Sequence, residues 1–178
     1  VGSEMCIRDR GMANGYPIAA VIGKKKFMDA AQDSFISSTF WTERIGFAAA
    51  IATIKKYKAN NVNEHLNRMG KKVQEGWTAL AEKHGLKIHL SGIYPLGHIS
   101  FEAAPLELKT LFVQEMMKRG FLVSDAYYAT FAHKDKDVND YLAACDEVFA
   151  IMAKAVADNN IVDILEGPVC QGGFARLA

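Results

Sequence analysis

The chain has 178 residues, 50% hydrophobic and 23% charged, and its 21 Lys+Arg against 20 Asp+Glu give a formal net charge of +1. This is the composition of a folded globular protein and excludes a disordered chain, which needs low hydrophobicity and a large net charge. Balanced charge provides no global field for a nucleic-acid backbone or an anionic membrane surface, so neither is expected as a partner.

Three cysteines, Cys6, Cys145 and Cys170, lie far apart with no CxxC pair. That pattern fits neither a structural zinc site nor a disulfide framework and points to a reducing, cytoplasmic setting. No apolar run approaches the ~18–20 residues that a bilayer requires, and no basic stretch followed by a long apolar core marks a signal peptide.

Residues 1–10, VGSEMCIRDR, follow no strand or helix period. They resemble translated sequencing-adaptor read-through and are set aside as a non-native segment; a genuine polar N-terminal tail is the alternative. On the first reading Cys6 carries no meaning and the native chain starts further upstream. Pro17–Gly23 is apolar on both faces, the pattern of a strand covered on both sides of a sheet. No partner strand of that type follows, so the segment is expected to have lost its neighbours to truncation. A short helix is expected over Phe27–Ala31, then a polar-aromatic loop from Asp33 to Trp41. Thr42 is a plausible N-cap, with Glu43 in the first turn, for an Ala-rich helix running towards Lys58. Asn60-Asn61 breaks it.

Val62, Leu66, Met69, Val73, Trp77 and Leu80 then recur at steps of three and four, the mark of a long amphipathic helix that Gly85 closes. Lys87–Leu90 and Gly97–Ala103 alternate as half-buried strands, with Ile99, Phe101 and Ala103 on one face. Pro105 opens a helix that carries Leu108, Phe112 and Met116 and ends at Gly120. Phe121–Val123 is expected as a short strand. Asp137 is expected to cap a last long helix carrying Val138, Tyr141, Leu142, Cys145, Val148, Phe149, Met152 and Val156, and the Gly-rich tail from Gly167 is irregular. From about residue 61 the order is α-β-β-α-β-α, which makes a two-layer α+β domain; residues 11–60 belong to something larger.

The chemistry-bearing candidates each have a bland counterpart. Gly11–Pro17 leads into an apolar strand but is neither GxGxxG nor a Walker loop, and as a bare pattern it is a turn centred on Asn14-Gly15. Ser37-Ser38-Thr39 sets hydroxyls and successive N–H groups just before a helix, which suits a phosphate; loop and capping chemistry is the alternative. Lys24–Lys26 reads as a solvated turn. His89 and His98 are possible cross-strand neighbours, yet no Cys or carboxylate set joins them, so no metal is expected. Ser124, Asp125 and His133 suggest a hydrolase site only if they meet in space, and no GxSxG elbow is present. Tyr127, Tyr128 and Phe131 either line a pocket or simply pack.

Taken together, GMANGYPIAAVIG (11–23), SSTFWTERIGFAAAIATI (37–54) and the closing GFARL (173–177) resemble the class III pyridoxal-phosphate-dependent aminotransferases, the glutamate-1-semialdehyde aminomutase-like branch in particular. The resemblance implies the C-terminal portion of a fold type I α/β transferase. Residues 11–60 would be the remnant of the large cofactor-binding domain and residues 61–178 the small α+β C-terminal domain. It also implies pyridoxal 5'-phosphate as cofactor and a homodimeric full-length parent acting on small-molecule amino donors and acceptors. The family's phosphate-contacting threonine falls on Thr39, reaching across the dimer into the neighbouring site, with Ser38 beside it as a backbone donor. The lysine that condenses with the cofactor aldehyde would stand just before Gly11, where this chain has Arg10, which stays protonated and forms no imine. Trp41–Glu43 replaces the Gly-Asn-Pro that commonly follows the family's threonine. The expectation is a fragment of a transaminase or aminomutase that is inactive by itself; the alternative is a non-catalytic α+β domain with a structural or binding role, its loop hydroxyls serving as caps.

Overall fold

A computed structural model of the chain describes residues 11–20, 22–33 and 43–172. The chain divides into two compact units, Val1–Val62 and Asn63–Ala178.

In the first unit, Asn14 (φ 51°) and Gly15 (φ 105°) form the expected turn. The expected strand over Pro17–Gly23 is absent: the described residues there have no regular structure, and Ile22 is 89% exposed. A strand needs a neighbour for its N–H and C=O groups, and the described residues of this unit contain none. The short helix, α1, spans Lys25–Met28 and passes into a 3-10 turn at Asp29–Asp33, so it starts two residues before the expected position. Helix α2 spans Arg44–Ala59. Its cap is Glu43, whose carboxylate accepts the Ile45 N–H at 2.8 Å; Thr42 lies outside the described residues. Asn61, with φ 48°, makes the break after α2.

The second unit follows the expected element order, with α3 (Val62–His84), β1 (Ile88–Ile93), β2 (Leu96–Phe101), α4 (Pro105–Lys118), β3 (Ala126–Tyr128) and α5 (Asp135–Ala157). The strands form one antiparallel sheet in the order β1-β2-β3. Both α3 and α4 stop in the same way. After α3, the Gly85 N–H bonds to Glu82 C=O and the Leu86 N–H to Ala81 C=O; after α4, Gly120 bonds to Met117 and Phe121 to Met116. These are Schellman closures, and the glycines at φ 70° and 83° supply the left-handed residue each one needs.

The strand expected at Phe121–Val123 is therefore displaced. Phe121 is taken up in the α4 closure, Leu122 is 89% exposed, and the free edge of β2 is filled three residues later by Ala126–Tyr128, with Leu96 opposite Tyr128 and His98 opposite Ala126. Strand β2 ends at Phe101, two residues short of Ala103, because Ala104 turns left-handed (φ 41°) to start α4. Asp137 does cap α5, but from inside it: its carboxylate accepts the Lys134 N–H at 2.8 Å, and the helix begins at Asp135.

One face of the sheet and the inner faces of the long helices enclose a single core. Met69, Val73 and Trp77 from α3, Leu111 and Met116 from α4, and Cys145, Val148, Phe149 and Met152 from α5 have no exposed surface. Phe101, Phe112 and Phe149 meet with ring centroids 6.0–6.1 Å apart in tilted and edge-to-face pairs, the favoured aromatic geometry. No helix among the described residues is long and apolar enough to cross a membrane.

Two predictions follow from the packing. At Gly70 the α3 backbone meets the β1–β2 turn so closely that an added Cβ would lie 1.7 Å from the Tyr94 carbonyl oxygen. Gly70→Ala is expected to lower the unfolding free energy in urea by about 1–3 kcal/mol through overpacking, although alanine favours a helix by about 1 kcal/mol. Thr78→Ala, on the exposed side of the same helix, should change it by less than about 0.5 kcal/mol. Burial pushes the Cys145 thiol from 9.0 up to about 12, against partial relief from Tyr141 and Trp77. Because the folded value lies above the unfolded one, the stability this group contributes is complete below pH 9 and lost as pH climbs towards 12. Melting temperature measured from pH 8 to 12 should fall through that window, and less steeply in Cys145→Ala.

Candidate functional site

Between β3 and the start of α5 the second unit opens into a cleft of about 460 Å³. Its walls come from three places. The segment after α4 brings Phe121 and Val123, β3 brings Tyr127 and Tyr128, and the first turns of α5 bring Asp137, Val138 and Tyr141. The strand's alternation explains why Tyr127 points in, half-buried, while Tyr128 stands at the rim with 53% of its surface exposed.

A chain of polar contacts fixes the rings. The Tyr127 hydroxyl lies 2.9 Å from His133 Nδ1, and the Thr130 N–H donates to the same nitrogen at 3.2 Å. Since a backbone N–H can only donate, Nδ1 is an acceptor; the Tyr127 O–H therefore donates to it, and the ring hydrogen resides on Nε2. His65 Nε2 donates to the His133 carbonyl at 2.9 Å, holding the loop from the α3 side. The Tyr127 ring stacks on His133 (5.4 Å, 27°) and on Tyr141 (6.1 Å, 30°). Behind them the Trp77 indole N–H donates to the Tyr141 hydroxyl at 3.1 Å, so the cleft floor is bonded to the core. Burial first, and the Asp137 charge second, push the Tyr127 phenol up to about 12, which keeps its proton on the oxygen at neutral pH. Burial drives the Tyr141 phenol well above its ordinary value too.

The other sequence candidates fare differently. Arg10, Ser38 and Thr39 lie outside the described residues, as do Cys6 and the closing GFARL. Ser124 and His133 both line the cleft, but no hydrogen bond joins them: Ser124 Oγ accepts the Ala126 N–H at 3.1 Å and His133 Nδ1 is already occupied. Nothing there activates a serine nucleophile. His89 pairs with Ser100 and His98 with Ser91, which leaves the two histidines diagonal to each other. No group of three or more metal-binding side chains occurs among the described residues. Of the aromatic trio, Tyr127 and Tyr128 line the cleft, while Phe131 packs edge-on against His65 at 5.2 Å. Sequence reasoning missed Asp137 and Tyr141 as cleft residues, because their helical spacing marked them as a cap and a core position.

Residues 2–127 match the family model for aminotransferase class-III. The chain is 30% identical over 148 residues to an aminopentol aminotransferase of Sphingopyxis macrogoltabida, covering 82% of this chain and 35% of that protein. It is 27% identical over 144 residues to a 2'-deamino-2'-hydroxyneamine transaminase of Streptomyces kanamyceticus, covering 78% and 37%. A glutamate-1-semialdehyde 2,1-aminomutase of Psychrobacter arcticus is 27% identical over 163 residues, covering 79% and 38%. Among solved structures, the FumI protein of Sphingopyxis sp. MTA144 in its PLP internal aldimine form superposes with a TM-score of 0.70 at 30% identity, covering 82% of this chain and 36% of that one. A transaminase with PLP bound gives a TM-score of 0.66 at 16% identity, a likeness of fold. The chain thus spans little more than a third of the length of the relatives it matches. With a match over residues 2–127 and the fold agreeing over most of its length, the chain belongs to the class III aminotransferases.

Proposed function

We propose that the chain is the C-terminal portion of a pyridoxal-phosphate-dependent class III aminotransferase that moves an amino group between small-molecule donors and acceptors. The family match over residues 2–127 carries this reading. Residues 11–60 are read as the remnant of the large domain and 61–178 as the small domain. The parent is read as a cytoplasmic homodimer, a setting consistent with the free thiols of Cys145 and Cys170. Within the family, the glutamate-1-semialdehyde aminomutase-like branch is the finer reading. It rests on the quoted motifs and on a relative 27% identical, whereas aminotransferases match as well or better.

The β3–α5 cleft does not make a seat for the cofactor. Its phosphate calls for cations, hydroxyls or a cluster of N–H groups, and its aldehyde calls for an amine. The cleft offers hydroxyls, but it has an aspartate to repel the phosphate and no lysine to meet the aldehyde. We assign the phosphate contact to Thr39, whose hydroxyl would donate to it across the dimer, and to the Ser38 backbone N–H. When bound, the cofactor supplies an electron sink for loss of the substrate α-proton. The amine that must anchor the cofactor and move that proton has no equivalent at Arg10, whose guanidinium stays protonated. We therefore read the 178-residue chain as inactive alone.

The test joins residues 11–178 to an upstream class III segment ending in lysine at position 10. That full-length protein is expected to retain stoichiometric pyridoxal phosphate through gel filtration and to transaminate. Thr39→Val should weaken cofactor binding by about 1–3 kcal/mol, the scale of a hydrogen bond to a charged group. The 178-residue chain with Arg10 should show no turnover. A folded, lysine-bearing full-length protein that fails to hold the cofactor would overturn the reading.

A further inference from the structure

The class III reading leaves the β3–α5 cleft without a role, and its chemistry is specific enough to assign one. We propose that this cleft binds a small organic cation, an ammonium group carried on an apolar body. Its volume of about 460 Å³ falls within the range of small-molecule sites.

The lining selects for sign of charge. Phe121, Tyr127, Tyr128 and Tyr141 contribute aromatic side chains to the wall; Tyr127 is already stacked on His133 and Tyr141, and Tyr128, 53% exposed at the rim, offers its ring to a cation. One carboxylate, Asp137, lies in the wall, and no lysine or arginine does. Asp137 makes no ion pair among the described residues: the neighbouring Lys136 is committed to Asp140 on the next turn, and Arg68 and Lys72 to Asp135. Its Oδ2 accepts the Lys134 N–H, which leaves Oδ1 without a described partner.

The hydrogen-bond pattern selects in the same direction. The Tyr127 proton is spent on His133 Nδ1, so the oxygen presents lone pairs to any further partner. An ammonium group, which only donates, finds two acceptors in the lining, the Asp137 carboxylate and the Tyr127 oxygen. A carboxylate or phosphate ligand meets the like charge of Asp137, and the donors left to it in the wall are neutral ones, the Ser124 and Tyr128 hydroxyls and the His133 Nε2–H. Phe121, Val123 and Val138 supply the apolar wall that a hydrocarbon body needs. This site needs no pyridoxal phosphate and stands or falls separately from the aminotransferase reading.

Three probes of matched size decide the matter by isothermal titration of the 178-residue chain without cofactor: hexylammonium, hexanol and hexanoate. Hexylammonium is expected to bind one to one and about tenfold or more tighter than hexanoate, with hexanol between them. Asp137→Asn keeps an acceptor for the Lys134 N–H and should erase most of the preference for the ammonium while leaving hexanol unchanged. Tyr128→Ala, at the exposed rim, should weaken all three probes without altering the melting temperature. Absence of saturable hexylammonium binding, equal or tighter binding of hexanoate, or an unchanged ammonium preference in folded Asp137→Asn would overturn the proposal. If Asp137→Asn does not fold, the wild-type ranking of ammonium against carboxylate decides alone.

Discussion

The second unit is organised around the burial of one helical stripe. Met69, Val73, Trp77 and Ala81 follow one another at four-residue steps on α3, and the first three lose all contact with water. Burying side chains of this size is worth roughly 1.5–3 kcal/mol each, far more than any surface ion pair in the unit, such as Arg68–Asp135, whose partners are both more than half exposed. The stripe therefore sets where α3 lies on the sheet, and the remaining elements are fitted to it. Gly70, one residue from Met69, permits the backbone of the β1–β2 turn to come up against the helix. Trp77 ends in a polar edge, and its N–H needs a partner once buried. It finds one in Tyr141 of α5.

That last bond links core to cleft. Tyr141 is at once the acceptor for the core tryptophan and the floor against which Tyr127 stacks, and Tyr127 in turn fixes His133. The Tyr127 and Tyr141 rings are thus tied to the packing of the hydrophobic core as well as to the loop over residues 129–134. Sites held in this way lose little freedom when a ligand arrives, the condition under which a few polar contacts give selectivity.

A second network ties residues 164–170 to α4. Gln114 donates to the Ile164 carbonyl and accepts the Glu166 N–H, Thr110 accepts the Cys170 N–H, and Lys118 pairs with Glu166. Leu106, Thr110, Gln114 and Lys118 recur every four residues, so one stripe of α4 serves as a ladder for an irregular segment that has no sheet to join. The ion pairs of Glu115 with Lys118 and Arg119 lie beside it. Burial opposes ionisation of Glu115, but these cations and Gln114 together hold its carboxyl below the usual range.

Much of this was legible in the sequence. The family resemblance, the α-β-β-α-β-α order, the core stripes of α3, α4 and α5, the inward face of β2 and the glycine closures at 85 and 120 all rest on local spacing, which a helix or strand converts directly into a face. The errors share a cause. Pro17–Gly23 has the composition of a buried strand but no neighbour among the described residues, and a strand is defined by its partner. Phe121–Val123 has strand-forming residues, yet the α4 closure claims Phe121 and the β2 edge is filled by Ala126–Tyr128 instead. Asp137 and Tyr141 reveal their place in a cleft only when α5 is laid beside β3. What lies within one element was determined by the sequence alone; which element lies beside which, and so where carboxylate, phenol and imidazole converge, was decided by tertiary packing, because those contacts join residues that no local period relates.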